Sequence, residues 1–103
     1  MIDLNELAKE SQKIAEKRAM HGLESDTMTC LKHCAGEVVE ATELVGGYNW
    51  GGNPPVNDLP YELADIIICV LIAAANEKID IEKAISEKMV INKIRADGGG
   101  DNL

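Results

Sequence analysis

Phenylalanine is absent, aromatics make up 3% of the 103 residues, and the one tryptophan, Trp50, falls in a glycine-rich stretch rather than on an apolar stripe. Cysteine is scarce as well. Cys30, Cys34 and Cys69 are odd in number and none lies in a CxxC, which excludes a disulfide framework and a thiolate zinc site. Set at helical spacing among apolar neighbours, they read as small buried hydrophobes. Positive charge is short: ten Lys and Arg stand against 18 Asp and Glu, for a net charge of −8. That balance excludes a nucleic-acid polymer or an acidic membrane surface as partner, because both need a basic patch. Long hydrophobic runs are missing too. The longest, residues 66–75, is half of the roughly 20 residues a bilayer-spanning helix requires. The first residues carry Asp3 and Glu6 with no basic region and apolar core behind them, so no secretory signal is expected and the chain reads as soluble and cytoplasmic.

What is present is apolar periodicity without strand alternation, which predicts an all-α, four-helix bundle in a single domain, residues 1–97, followed by a flexible tail, 98–103. The first helix is expected from about Asp3 to Met20, with Leu4, Leu7, Ser11, Ile14 and Ala15 along its stripe. The second opens near Ser25, Asp26 and Thr27, all good N-caps, and runs to Val45 before Gly46 and Gly47 stop it. A loop from Gly46 to Asp58 follows, with two prolines, Tyr48 and Trp50; its length marks it as a candidate for function. The third helix begins after Asp58, carries Pro60 in its first turn and reaches about Lys78. Its apolar residues cover nearly the whole circumference, so all its sides need cover, and a homodimer or a dimer-of-dimers tetramer is expected to provide part of it. The fourth opens at Asp80 and extends to about Ala96.

Two acidic pairs carry the chemistry. Glu37 with Glu40, and Glu62 with Asp65, stand at i,i+3 inside apolar stretches, where each sets like charges on one helix face at a cost in stability. From Leu63 to Ala75 the only polar side chain is Asp65, and a carboxylate among apolar neighbours is rarely buried unpaired. A shared divalent cation removes both difficulties. If the second and third helices form an antiparallel hairpin, the pairs meet and offer oxygen ligands suited to magnesium, manganese or calcium. A di-iron centre would need Glu-x-x-His elements, which neither pair supplies. Glu43, one turn past Glu40, is a spare ligand for a second metal, and His33 on the same side reads as a hydrogen-bonded helix histidine before it reads as a ligand. On the fourth helix Lys88, Asn92 and Arg95, at i, i+4 and i+7, form a donor-rich stripe with Lys93 beside it. Such a stripe suits phosphate oxygens, though it also fits a solvated outer face. Trp50 offers a base-stacking surface or a cap on the core.

Three ordered segments resemble the MazG-like all-α nucleoside triphosphate pyrophosphatases. Gly36-Glu37-Val38-Val39-Glu40-Ala41-Thr42-Glu43-Leu44 is similar to that family's GEVxExxEL segment, Glu62-Leu63-Ala64-Asp65 with Ile66, Ile67 and Ile68 to its ExxD segment, and Lys88 through Asn92 to Arg95 to its KxxxNxxR ending. The resemblance spans about Cys34 to Arg95; the leading helix is generic. It implies Mg2+-dependent hydrolysis of a nucleoside triphosphate between the α- and β-phosphates, Mn2+ being a possible substitute, to give a monophosphate and pyrophosphate, in the manner of a nucleotide-pool sanitising enzyme. Glu37, Glu40, Glu62 and Asp65 are then the metal ligands and catalytic residues, and Lys88, Asn92, Arg95 and Trp50 the substrate contacts. Relatives that prefer deoxycytidine nucleotides carry an aromatic residue in the first helix and another one turn after the ExxD aspartate; here the first helix has none and the second position is Cys69, so the base stays open. Two alternatives remain: a phosphoribosyl-ATP pyrophosphatase relative, which shares the acidic motifs, and a helical metal- or nucleotide-binding oligomer that turns nothing over.

Overall fold

A computed structural model describes residues 3–19, 25–46 and 58–98. Four helices and no strands occupy them: α1 (Leu4–Ala19), α2 (Thr27–Val45), α3 (Leu59–Asn76) and α4 (Ile81–Asp97). The all-α expectation holds within a residue or two at each boundary. Trp50, Tyr48, the loop around them and the end of the tail lie outside the described residues.

Local chemistry sets the helix ends. The Asp26 carboxylate accepts from the Thr29 N–H at 2.8 Å and from the Thr29 hydroxyl at 2.9 Å, satisfying a donor that the first turn of α2 leaves free. Those two bonds hold the Asp26 carboxyl below its ordinary value of 3.8. Asp80 caps α4 in the same way, accepting from the Lys83 N–H at 3.1 Å. Pro60 sits in the first turn of α3, where its missing N–H costs nothing. At the other end of α3 the Lys78 N–H bonds Ala75 O and the Ile79 N–H bonds Ala74 O, closing the helix in a Schellman turn. Lys78 takes the left-handed conformation there, φ 56°, a position usually given to glycine.

α2 and α3 form the antiparallel hairpin. The start of α2 meets the end of α3, where the Thr27 hydroxyl donates to Glu77 at 2.7 Å and Asn76 Nδ2 donates to Ser25 O at 2.8 Å. Midway, the Cys34 thiol lies 3.9 Å from Ile66 O. α1 packs along α3, and Gln12 Nε2 donates to Asn76 Oδ1 at 2.8 Å, so one asparagine ties three segments together. The core gathers at the C-terminal half of α3, where Leu71, Ile72, Ala73 and Ala74 are buried along with Ala8 and Ser11 of α1. Ile14, expected on the inner stripe of α1, is 53% exposed, because Ala8, Ser11 and Ala15 fill that face instead.

α4 stands apart from the hairpin. It is attached to α1 by a clamp at its first turn: Asn5 Oδ1 accepts from the Ile81 N–H at 3.0 Å, Asn5 Nδ2 donates to Asp80 at 2.8 Å, and the Leu4 N–H donates to Glu82 at 2.7 Å. The Asn5 bond, then the Lys83 N–H, keeps the Asp80 carboxyl below its ordinary 3.8. The clamp therefore contributes stability above that value and loses it as pH falls through the lowered folded pKa. None of the residues of α4 is buried.

By length and composition alone α3, at a mean hydropathy of 1.7 over 18 residues, could cross a membrane, which the ten-residue unbroken run did not suggest. It packs against α1 and α2, and 28% of it is buried.

Candidate metal centre

The hairpin brings three of the four expected carboxylates together. Glu37 and Glu40 from α2 and Glu62 from α3 each place an oxygen within 4.8 Å of the others. Glu37 and Glu62 are half-buried; Glu40 is exposed at the rim. Three like charges so close repel strongly unless something neutralises them. The Glu37 carboxylate beside it, then burial, then the charge of Asp65, raise the Glu62 carboxyl above its ordinary 4.5, and a bond with Glu40 offsets part of the rise. Glu62 Oε2 is buried and, among the described residues, has no hydrogen-bond partner. A buried carboxylate oxygen without a donor is costly, and a cation among the three groups would satisfy it.

Asp65 is not in that group. It is exposed and lines a neighbouring cleft of about 410 Å3, whose floor is made by Cys30, Cys69 and Ile72 and whose rim carries Arg18, Thr29, His33 and Asp65. The cleft lies on the α1 side of the hairpin. His33 joins the two features, with Nε2 3.1 Å from Glu37 Oε1, in line with its expected role as a hydrogen-bonded helix histidine. Arg18 was not anticipated, since its approach to α2 and α3 depends on the way α1 packs; its i,i+3 relation to Ala15 on the inner stripe is the only trace in the sequence. The thiols below are inert: burial pushes Cys69 up to about 11 and raises Cys30, so both stay protonated at neutral pH. They pack as small hydrophobes, as their spacing suggested.

Gly36 lies on the α2 flank that carries His33 and Glu40, and a Cβ there would meet nothing within 4 Å. A glycine inside a helix costs about 1 kcal/mol against alanine, and here no neighbour requires it. The bare backbone leaves open space beside the carboxylates. Gly36→Ala is therefore expected to raise unfolding free energy by about 1 kcal/mol in urea titrations. If a ligand uses that space, the same variant binds it more weakly.

The basic stripe is placed elsewhere. Lys88 and Arg95 are exposed and Asn92 half-buried on α4, and among the described residues no hydrogen bond or ion pair links them to the carboxylates. Asn92 Oδ1 is buried without a partner among the described residues. Glu43 is exposed, one turn beyond Glu40.

Comparison with known proteins adds no relative: no family model matches the chain, and neither a curated protein nor a solved structure does.

Proposed function

We propose that the chain is a Mg2+-dependent nucleoside triphosphate pyrophosphohydrolase of MazG-like type, converting a nucleoside triphosphate and water to the monophosphate and pyrophosphate. The observation that carries this reading is the convergence of Glu37, Glu40 and Glu62 from two antiparallel helices around a buried carboxylate oxygen that, among the described residues, lacks a donor. The donor set is all oxygen and anionic, which fits a hard divalent ion. Glu37, Glu40 and Glu62 would hold Mg2+, with Asp65 one turn away, and the ion would neutralise triphosphate charge and acidify the attacking water. One of these carboxylates would also orient that water, and the exposure of Glu40 supports it for the role; the 3.1 Å approach of His33 Nε2 to Glu37 Oε1 supports His33 as a positioning residue. The adjoining cleft offers Arg18, Thr29 and Asp65 to the remainder of the nucleotide. Lys88, Asn92 and Arg95 supply donors for phosphate charge in the transition state if α4 reaches the site in the substrate complex.

That α4 is clamped to α1 favours a second reading, a metal-binding helical protein that performs no turnover. One assay separates the two. The protein is incubated with each ribo- and deoxynucleoside triphosphate and Mg2+, and monophosphate and pyrophosphate are quantified. Equimolar release of both from at least one substrate, abolished by chelator, is the expected result; no product from any of them leaves the binding reading.

A further inference from the structure

The cleft beside the acidic centre carries two charged side chains that the fold leaves unused. Of its polar lining, Thr29 is engaged with the Asp26 carboxylate through its N–H and its hydroxyl, and His33 lies 3.1 Å from Glu37. Arg18 and Asp65, both exposed, have no hydrogen bond or ion pair among the described residues, to each other or to any other group. The rest of the lining, Ala15, Cys30, Ile68, Cys69 and Ile72, is apolar, and the two thiols keep their protons, so this surface is neutral. A volume of about 410 Å3, mostly apolar with a few polar groups, is the make-up of a small-molecule site and suits the face of a flat ring. The cleft is also joined to the carboxylates, since Asp65 stands three residues after Glu62 on α3 and His33 reaches Glu37. A molecule with phosphates at one end and a planar base at the other would span both.

We propose that this cleft selects a guanine base, Asp65 accepting from its N1–H and N2–H2 groups and Arg18 donating to O6 and N7, so that guanosine triphosphates are the preferred substrates. The proposal rests on the nucleotide reading of the neighbouring carboxylates and names the base that reading leaves open. The choice follows from counting donors. An ionised carboxylate offers two acceptor oxygens and no donor, and a guanidinium offers a fork of donors and no acceptor. Adenine and cytosine present one amino group beside a bare ring nitrogen, and uracil and thymine one N–H between two carbonyls. Only guanine sets two donors side by side for the carboxylate and, along the next edge, two acceptors for the fork. A cytosine or adenine would leave one Asp65 oxygen facing a ring nitrogen, acceptor against acceptor. Because Arg18 and Asp65 are exposed, water competes for both, and the selectivity is expected to be tens-fold rather than the far larger ratios of a dry pocket.

The test is kcat/KM with Mg2+ for GTP, ATP, CTP, UTP, inosine triphosphate and xanthosine triphosphate, paired with calorimetric binding of the same six. Wild-type protein is expected to prefer GTP over inosine triphosphate, which lacks only the N2 amine, by about tenfold or more. That comparison needs no variant. Asp65→Asn replaces one acceptor with a donor, which matches N1–H beside the C2 carbonyl of xanthine, and should shift the ratio of GTP to xanthosine triphosphate about 100-fold toward the latter. Arg18→Gln, whose amide pairs with adenine N6 and N7, should narrow the preference for GTP over ATP about tenfold, while Lys17→Gln next to it changes no ratio. GTP preferred in binding without turnover upholds the base assignment and sinks the hydrolase reading. Equal turnover of all six does the reverse. An Asp65→Asn that loses every substrate in the same proportion overturns the proposal by placing Asp65 on the metal, and neither binding nor turnover of any triphosphate overturns both readings.

Discussion

Glu62→Gln is expected to cut pyrophosphate release by at least about 100-fold while raising the melting temperature of the protein in chelator. On the proposed reading the first effect follows from removing a metal ligand whose Oε2 has no hydrogen-bond partner among the described residues, since even groups that merely orient metal ligands cost 10- to 100-fold when lost. The second follows from the crowding. Glu62 has a raised carboxyl because Glu37 and Asp65 disfavour its ionised form, so without a cation the folded protein binds the proton more tightly than the unfolded chain does. Stability of the wild type in chelator must then fall as pH rises from the ordinary 4.5 through the raised folded value, and stay lower at neutral pH. Glutamine removes that charge and with it the pH-dependent loss. Activity and apo stability moving in opposite directions is the signature of a functional cluster; a Glu62→Gln that melts lower in chelator, or turns over normally, would show the carboxylate to be structural.

The second large effect is stabilisation by metal. At a Mg2+ concentration 100 times its Kd, binding to the folded state alone adds about 2.7 kcal/mol, and for a domain of this size each kcal/mol moves the melting temperature by about 4 to 8 °C. A rise on the order of 10 to 20 °C is expected on replacing chelator with saturating Mg2+. Glu37→Gln and Glu62→Gln should remove nearly all of it. Asp65→Asn should retain at least half, because Asp65 lines the cleft and is not one of the three carboxylates that converge. Calorimetric melts of the four proteins with and without Mg2+ decide the point, and equal loss in Asp65→Asn and Glu62→Gln would move Asp65 into the inner set.

The parts of the fold written in local chemistry were readable in advance. Asp26 and Asp80 announced helix starts because a short carboxylate reaches the free N–H groups of the next turn, and Pro60 could only occupy a first turn. The meeting of Glu37, Glu40 and Glu62 was also readable, since an antiparallel hairpin leaves few ways to align two apolar stripes. Asp65 was not. Asp65 lines the cleft on the α1 side, and only the packing of α1 determines what that flank faces. Nor could the place of α4 be read, because Ile85, Met89, Val90, Ile91 and Ile94 encircle it and point to no single face.

The clamp at Asn5 makes α4 a cantilever. Anchored at its first turn and burying no residue, it can detach from its free end inward while the three helices beneath it remain closed, since little apolar surface is exposed when it opens. Amide exchange should therefore divide the chain into two cooperative units, a slow one formed by α1 to α3 and a fast one that includes Lys88, Asn92 and Arg95. The energy needed to open it is set by the few hydrogen bonds around one asparagine.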